Sequence, residues 1–319
     1  MTRVAAVDCG TNSIRLLVAD LDPASGRLTD LERRMEIVRL GQGVDRTGRL
    51  DPLALERTLT VCRTYAEMIS GYGIPPGRVR FVATSASRDA ENRADFVRGV
   101  REILAVTPEV ISGDEEARLS FTGATRELAG QAGIAAPYLV LDIGGGSTEF
   151  VLGASRVTAA GSVDIGCVRL TERHLLRDGR ISDPPSPGEI AAMTADIGTA
   201  IEAAGRSVPV TGARTLIGLA GSVTTVAGIA LGLGHYDSAA IHHSRLGIDQ
   251  VQEVTQRLLT STHAERAAIP VMHPGRVDVI AAGALVLRTV MERTGIGEVL
   301  VSEHDILDGI AWSAVPETS

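Results

Sequence analysis

The fold class of this chain follows from two similar segments, VAAVDCGTNSIRLLV at residues 4–18 and YLVLDIGGGSTEFVL at residues 138–152. Each contains an apolar strand that ends in an aspartate, a turn of small residues and a second apolar strand. Their alignment pairs Asp8 with Asp142, Gly10 with Gly144 and Ser13 with Ser147. Self-similarity at a constant offset indicates a duplicated architecture. We therefore expect two similar domains, each opening with a strand–turn–strand hairpin.

The rest of the chain alternates between strand and helix patterns. Val79–Thr84 and Thr215–Ala220 look like strands that each run into a turn of small residues. Apolar residues recur at helical spacing in three stretches, namely Leu55, Leu59, Cys62, Ala66 and Ile69; Ala117, Phe121, Ala124 and Leu128; and Ile190, Met193, Ile197 and Ile201. Mixed strands and helices of this kind predict an α/β fold.

The length of 319 residues exceeds the size at which a single core usually keeps growing, so two domains are expected. A boundary fits Ala129–Pro137, which is rich in Gly, Ala and Pro and precedes the second hairpin. We place the domains at 1–132 and 133–319, and the final helix is the element that could pack back on the first domain. Asp178–Gly188 is predicted to be a second exposed connection.

Composition excludes several classes of protein. The net charge of −8 argues against broad binding of nucleic acid. All 31 basic residues are arginine, so neither a P-loop lysine nor a Schiff-base lysine exists here. Cys9, Cys62 and Cys167 lie far apart and are interpreted as small buried residues. No apolar run is long enough to span a membrane and no leader pattern opens the chain, so we expect a cytoplasmic protein without a membrane partner.

The two hairpin turns are the first candidates for chemistry. A turn of Gly, Ser, Thr and Asn after a strand can point several main-chain N–H groups into one concavity, which binds phosphate oxygens. The second turn is the richer one, with Gly144, Gly145, Gly146, Ser147 and Thr148. Hairpins use glycine in any case, but two matching turns in duplicated halves favour a pair of phosphate-binding loops facing each other across a cleft.

A carboxylate adjoins the second turn. Asp142 ends the strand before the glycines, and next to bound phosphate it would be repulsive unless a cation intervened. Mg²⁺ favours one or two carboxylates together with substrate phosphates, so Asp142 and Glu149 are candidate metal ligands. The alternative for Asp142 is a residue that caps the turn.

Three further segments have two interpretations each. Gly221 and Ser222 follow a strand and start a helix, where they could bind phosphate or simply cap the helix. Glu115 and Glu116 lie in the first turn of another helix, where they could suit its dipole or supply a general base. Arg88 could clamp a phosphate or pair with Asp89 or Glu91. The histidines of His242-His243 and of the Glu303–Asp305 segment lack metal-ligand spacing and are interpreted as packing or surface residues.

These motifs occur together in a recognisable order: DCGTNSIRLLV, TSASRDAEN, ISGDEEARL, LDIGGGSTEFV, GLAGSVTT and VSEHDILDG. The chain resembles the exopolyphosphatase and guanosine pentaphosphate phosphohydrolase family of the actin-like ATPase superfamily over nearly its whole length. The resemblance implies an α/β fold with two ribonuclease-H-like (actin-like ATPase) domains and an active site in the cleft between them.

The resemblance also implies an activity and assigns residues to it. It implies Mg²⁺-dependent hydrolysis of a terminal phosphoanhydride, with Mn²⁺ as a substitute. The base aligns with Glu116, with Glu115 as the alternative, and Arg88 and Asn92 match a further motif. The first phosphate loop aligns with Gly10, Thr11, Asn12 and Ser13, the second with Asp142 and Gly144–Thr148, and the adenosine-type loop of the family with Gly221 and Ser222.

Three functions remain open. The first is an exopolyphosphatase that releases orthophosphate from short inorganic polyphosphate. The second is a guanosine pentaphosphate phosphohydrolase of the stringent response, and the third is a non-catalytic actin-like nucleotide-binding protein. Long relatives carry additional C-terminal helical domains, which we do not expect in this protein. An arginine common in the last motif is missing from Glu303–Gly309. Relatives commonly form homodimers, although no exposed apolar stripe here requires one.

Overall fold

The computed structural model describes residues 1–128 and 133–314. The first half of the chain contains five strands and five α-helices among the described residues. These are β1 (Thr2–Cys9), β2 (Ser13–Asp22), β3 (Arg27–Ile37), α1 (Val44–Thr47), α2 (Pro52–Gly71), β4 (Val79–Ala83), α3 (Ser85–Asp89), α4 (Arg93–Leu104), β5 (Glu109–Val110) and α5 (Gly113–Thr125).

The second half begins with another hairpin. Its elements are β6 (Tyr138–Ile143), β7 (Thr148–Gly153), β8 (Val157–Val163), α6 (Cys167–His174), β9 (Leu176–Arg177), β10 (Arg180–Ile181), α7 (Pro187–Gly205), β11 (Thr215–Leu219), α8 (Ala220–Ala230), α9 (Ser238–Ile241), β12 (Arg245–Gly247), α10 (Ile248–Thr260), α11 (His263–Ala267), α12 (Ile280–Thr294), β13 (Glu298–Val301) and α13 (Ile306–Ser313).

The two large sheets repeat one topology. The first has the strand order β3-β2-β1-β4-β5, and five strands of the second follow the matching order β8-β7-β6-β11-β13, with β12 added at the edge. In each sheet the first three strands are antiparallel and the next two join in parallel. This is the strand order of the ribonuclease-H-like fold. The predicted α/β fold with two such domains is therefore confirmed.

Contacts divide the chain into two compact units, Met1–Ala129 with Asp305–Ser319, and Gly130–His304. The contacts thus group the last helix with the first unit, whereas the sequence-based division at 1–132 and 133–319 assigns it to the second domain. The exact domain limits stay a prediction. Ala129, Gly130, Gln131 and Ala132, which belong to the predicted linker, lie outside the described residues.

The first unit has apolar cores on both faces of its sheet. On one face, α2 and α4 pack around Phe81, Phe96 and Tyr65. On the other, α13 contributes Leu307 and Ile310 to a cluster with Leu17 and Leu119. Because successive strand residues point to opposite faces, β1 divides its side chains between both cores, and Asp8 follows Ala6 toward the face that α13 covers.

The second unit has one large apolar core. It gathers buried side chains from the sheet and from α7, α8, α10 and α12, with Phe150, Met193 and Leu285 among its fully buried members. Ser186 and Glu189 form a capping box at the start of α7, where the predicted connection Asp178–Gly188 ends. Within the described residues, no helix is long and apolar enough to cross a membrane.

The apolar stripes of the sequence predict the helices correctly and their buried faces in part. Ala117, Phe121, Ala124 and Leu128 are all buried. On α2, by contrast, the buried residues are Ala54, Thr58, Cys62, Tyr65 and Ile69, so Leu55, Leu59 and Ala66 lie at the margin of the face. The strands predicted at 79–84 and 215–220 each end one residue earlier, at Ala83 and Leu219.

Candidate active site

The triple-glycine turn of the second unit is held from behind by the start of α6. The main-chain N–H of Cys167 donates to the carbonyl of Gly144 at 3.0 Å, and those of Val168 and Arg169 donate to Gly145 at 2.9 and 3.1 Å. The Nε of Arg169 donates to the carbonyl of Gly146 at 2.7 Å. Three successive carbonyls therefore point toward α6.

The opposite side of this turn presents N–H groups. In a planar trans peptide the C=O and the following N–H point in opposite directions, so the N–H groups of Gly145, Gly146 and Ser147 face away from α6. None of them donates a hydrogen bond to another described residue. Three adjacent unpaired donors form the kind of concavity that binds an anion. The residue before α6 lies so close to the turn that it must also be glycine, because a Cβ at position 166 would lie 2.2 Å from the carbonyl of Gly145.

Two carboxylates lie beside this turn. Asp142 on β6 and Glu149 on β7 are directly opposite partners in the antiparallel ladder, so their side chains share one face, with Cβ atoms roughly 4.5–5.5 Å apart. Their exposed fractions are 7% and 1%. Two buried carboxylates at this spacing repel each other unless a cation or a proton lies between them.

The start of α8 adds a second group of polar atoms in the same unit. Ser222 is buried in its first turn, and a Cβ at Gly283 would lie 2.3 Å from its hydroxyl oxygen. The Nη1 of Arg276 donates to the carbonyl of Gly221 at 3.0 Å and to the hydroxyl of Thr225 at 3.3 Å. Burial raises the pKa of the adjacent Cys167 thiol, although Ser222 donates to it, which suits an inert residue.

The turn of the first unit is built in the same way with a different support. Gly10 donates to Ser13 at 2.9 Å, as Gly144 donates to Ser147 at 3.0 Å. The carbonyl of Thr11 accepts from Gly41, and that of Asn12 accepts from Val38 and Arg39. In the first unit the loop at residues 38–41 supplies the N–H donors that the start of α6 supplies in the second unit. The N–H of Asn12 points away from this loop.

The first-unit carboxylate already has a cation. Arg15 lies opposite Asp8 in the hairpin ladder and donates to Asp8 Oδ2 through Nε at 2.9 Å and Nη2 at 2.6 Å. Arg15 also pairs with Asp305, the residue that caps α13. Burial raises the pKa of Asp8 even though Arg15 lowers it. Burial also acts to raise the pKa of Asp305, but Arg15, the N–H of Leu307 and Arg33 together outweigh it, and the pKa of that carboxyl is lowered.

The two glutamates of α5 have different surroundings. Glu116 is buried with 8% of its surface exposed, and its Oε2 accepts from Arg88 Nη1 at 3.1 Å. Arg88 is closer to Glu116 than to Asp89, at 3.8 Å. Glu115 points elsewhere, with its carboxylate 3.5 Å from Arg80 and its side chain 38% exposed. Consecutive helical residues differ by about 100° in direction, which explains the divergence.

Comparison with known proteins shows which family this chain belongs to. The sequence matches the profile of the Ppx/GppA phosphatase family over residues 17–318. The chain belongs to the Ppx/GppA phosphatase family. It is 52% identical to Exopolyphosphatase 2 of Mycobacterium tuberculosis over 324 aligned positions, which cover 98% of each chain.

Other Ppx/GppA relatives extend the comparison. A guanosine-5′-triphosphate,3′-diphosphate pyrophosphatase of Aeromonas salmonicida is 28% identical over 97% of this chain and 58% of its own. A solved structure described as an exopolyphosphatase-like protein superimposes with a TM-score of 0.91 and 42% identity, covering 98% of both chains.

Most of the residues selected from the sequence lie in the hairpin turns of the two units or beside them. In the first unit, Arg88 and Glu116 are brought together. In the second, Asp142, Glu149 and the glycines lie side by side. Thr148 differs, because its hydroxyl donates to the carbonyl of Ile165 and is fully buried. The side chain of Asn92 makes two hydrogen bonds with the main chain of Leu50. Its Oδ1 accepts from the N–H at 2.8 Å, and its Nδ2 donates to the carbonyl at 3.1 Å.

The interpretation of His242, His243 and His304 as packing or surface residues stays a prediction. His242 and His243 stack with ring centroids 3.8 Å apart, and the N–H of Glu303 donates to His242 Nδ1 at 3.1 Å. The three cysteines are free and buried, as expected.

Sequence reasoning missed three residues that contact the candidate sites of this Ppx/GppA chain. Arg169 holds the glycine turn, Arg276 lies against the start of α8, and Ser162 donates to Glu149 at 2.7 Å. No local pattern marks them. The duplication draws attention to Glu149, where the first hairpin has arginine, and not to these three residues.

Proposed function

We propose that this protein is an exopolyphosphatase that hydrolyses the terminal phosphoanhydride of inorganic polyphosphate and releases orthophosphate. The observation that carries the proposal is the row of unpaired N–H groups at Gly145, Gly146 and Ser147 beside the carboxylates of Asp142 and Glu149. Such donors bind phosphate oxygens, and the neighbouring carboxylates suit the divalent cation that accompanies polyphosphate. The family and the 52% identical relative support the same chemistry.

The donor set fits Mg²⁺, and Mn²⁺ as a substitute. Asp142 and Glu149 would hold the ion, since hard divalent cations prefer carboxylate oxygens. A bound cation would offset the repulsion between these two buried carboxylates, as Arg15 offsets the charge of Asp8 in the hairpin of the first unit. When bound, Mg²⁺ would neutralise charge that develops on the transferred phosphoryl group.

The remaining steps of the hydrolysis depend on main-chain and side-chain groups of the protein. Main-chain N–H groups of the second turn and the hydroxyl of Ser147 orient the terminal phosphate. Arg88 supplies a positive charge, and Glu116 accepts a proton from the attacking water. The oxygen of that water bonds to phosphorus while the bridging P–O bond breaks, and the shortened chain leaves with the bonding electron pair. Substitutions in either unit are therefore expected to lower one and the same activity.

Phosphate release tests the proposal directly. Purified protein is incubated with polyphosphates of defined length and Mg²⁺, and orthophosphate is measured over time. We expect release from short chains, with guanosine pentaphosphate assayed in parallel by kcat/KM. A higher kcat/KM on the nucleotide would assign the protein to the other branch of the family. Nucleotide binding without release from any substrate would favour a non-catalytic role.

A further inference from the structure

Three neighbouring strands place three polar side chains in one row. Asp142 on β6 pairs with Glu149 on β7, and Glu149 pairs with Ser162 on β8. Directly paired residues project from the same face of a sheet. The row therefore runs Asp142–Glu149–Ser162, with the glutamate in the middle, and the Ser162 hydroxyl donates to Glu149 Oε1 at 2.7 Å.

The equivalent row of the first unit holds different residues at the paired positions. There Asp8 pairs with Arg15, and Arg15 pairs with Met35. The cation in that row is a side chain, two of whose nitrogens donate to Asp8. Where the first row has arginine and methionine, the second has glutamate and serine. The second row thus has a second carboxylate, Glu149, at the position where the first row has a cation, Arg15. It also has a hydroxyl, that of Ser162, which donates to this carboxylate.

A hydrogen bond to a carboxylate restricts its rotation. The last torsion of glutamate is broad and roughly two-fold, so the carboxylate plane is poorly determined without a partner. Ser162 supplies one O–H donor and engages Oε1. Carboxylates that ligate metals are generally oriented by such partners, and loss of the partner typically lowers metal affinity about 10–100-fold.

We propose that Ser162 is a positioning residue for the metal site, which it serves by orienting the carboxylate of Glu149. The inference rests on the proposed function, which places the divalent cation at Asp142 and Glu149. Ser162 need not touch substrate or metal. Its effect is on the affinity for the cation, and through that affinity on the metal concentration that activity requires.

The test compares variants of one strand. Ser162→Ala removes the hydroxyl, and Ser162→Thr keeps it. Thr158→Val is the matched control, because Thr158 lies on the same edge strand and its hydroxyl donates to the carbonyl of Leu152 at 2.9 Å. The affinity of each full-length variant for Mn²⁺ is measured without substrate by electron paramagnetic resonance. The Mg²⁺ dependence of phosphate release and the melting temperature are recorded beside it.

We expect Ser162→Ala to weaken Mn²⁺ binding by about 10–100-fold, with kcat at saturating Mg²⁺ within a few-fold of the wild type. Ser162→Thr should recover most of the affinity, and Thr158→Val should retain it. If Ser162→Ala binds Mn²⁺ as the wild type does while Glu149→Gln loses it, the positioning role is wrong and the metal site stands. If Glu149→Gln and Asp142→Asn also bind normally, the placement of the metal itself is wrong. Equal losses in Ser162→Ala and Thr158→Val would indicate damage to the strand and overturn the inference.

Discussion

At the scale of single residues, Glu116 is the side chain on which hydrolysis is expected to depend most. Glu116 is buried on α5 and contacts Arg88, whereas Glu115 is more exposed and lies beside Arg80. We expect Glu116→Gln to lower kcat by about 10²–10⁴, the usual contribution of a general base. Substrate affinity should persist, because the substitution removes a negative charge near a polyanion. Steady-state kinetics on short polyphosphate measure both quantities.

Glu115→Gln is the matched control for this substitution. The two glutamates are adjacent in the first turn of α5, so both interact similarly with the helix dipole, an effect of a few tenths of a kcal/mol to about 1 kcal/mol. Only one of them is buried beside Arg88. A large loss of kcat in Glu115→Gln with a mild loss in Glu116→Gln would assign the base to Glu115. Mild effects in both would remove this helix from the mechanism.

At the scale of elements, the position of α5 depends on its contact with α13. Two glycines allow the helices to approach closely: a Cβ at Gly309 would lie 2.0 Å from the carbonyl oxygen of Leu119, and one at Gly123 would lie 1.8 Å from that of Asp305. Because backbone atoms cannot yield as a flexible side chain can, Gly309→Ala must push the helices apart. We expect a loss of about 1–3 kcal/mol in unfolding free energy, as for other overpacked cores, together with a lower kcat because α5 carries Glu116.

Gly188→Ala provides the comparison for that experiment. Gly188 lies in the first turn of α7, and no atom lies within 4 Å of the Cβ that alanine would add. Alanine is the better helix former, so this variant should be neutral or slightly more stable. Chemical denaturation and polyphosphate hydrolysis are measured for both variants. A Gly309→Ala protein as stable and active as the wild type would show that the contact of α13 does not position α5.

At the scale of the whole molecule, a divalent cation should stabilise the fold through the second unit. A ligand that binds only the folded state adds about 2.7 kcal/mol at one hundred times its dissociation constant. Each unit has its own apolar core, so unfolding need not be a single transition. We expect Mg²⁺ to raise the melting temperature of the transition in which the second unit unfolds, and EDTA to reverse the shift. Calorimetry measures it.

Asp142→Asn separates this effect from a general effect of salt. The substitution keeps the shape of the side chain but removes the charge expected to attract the cation, so the shift should shrink or vanish. We also expect a higher Mg²⁺ requirement for activity. An equal shift in the wild type and in Asp142→Asn would place the stabilising ion elsewhere.

The sequence by itself determined the duplicated architecture and the identity of the hairpin turns. Both depend on local order along the chain: an apolar strand, an aspartate and a glycine turn are contiguous, and their repetition at 4–18 and 138–152 is visible without coordinates. The same holds for Glu115 and Glu116 in the first turn of α5, where the side chain of Ser112 accepts from the N–H of Glu115. The two predicted strands ran one residue too far, because the ladder pairing ends at Ala83 opposite Cys9 and at Leu219 opposite Asp142.

Tertiary structure decided which atoms meet. Glu149 and Ser162 are thirteen positions apart, and only the register of β7 with β8 places them in contact. Arg15 reaches Asp305 across almost the entire chain because α13 packs on the first sheet. The direction of the glycine N–H groups likewise depends on α6, which holds the carbonyls on the other side. Spacing along the chain can show that a residue type is available, but pairing register and helix packing determine which partner it has.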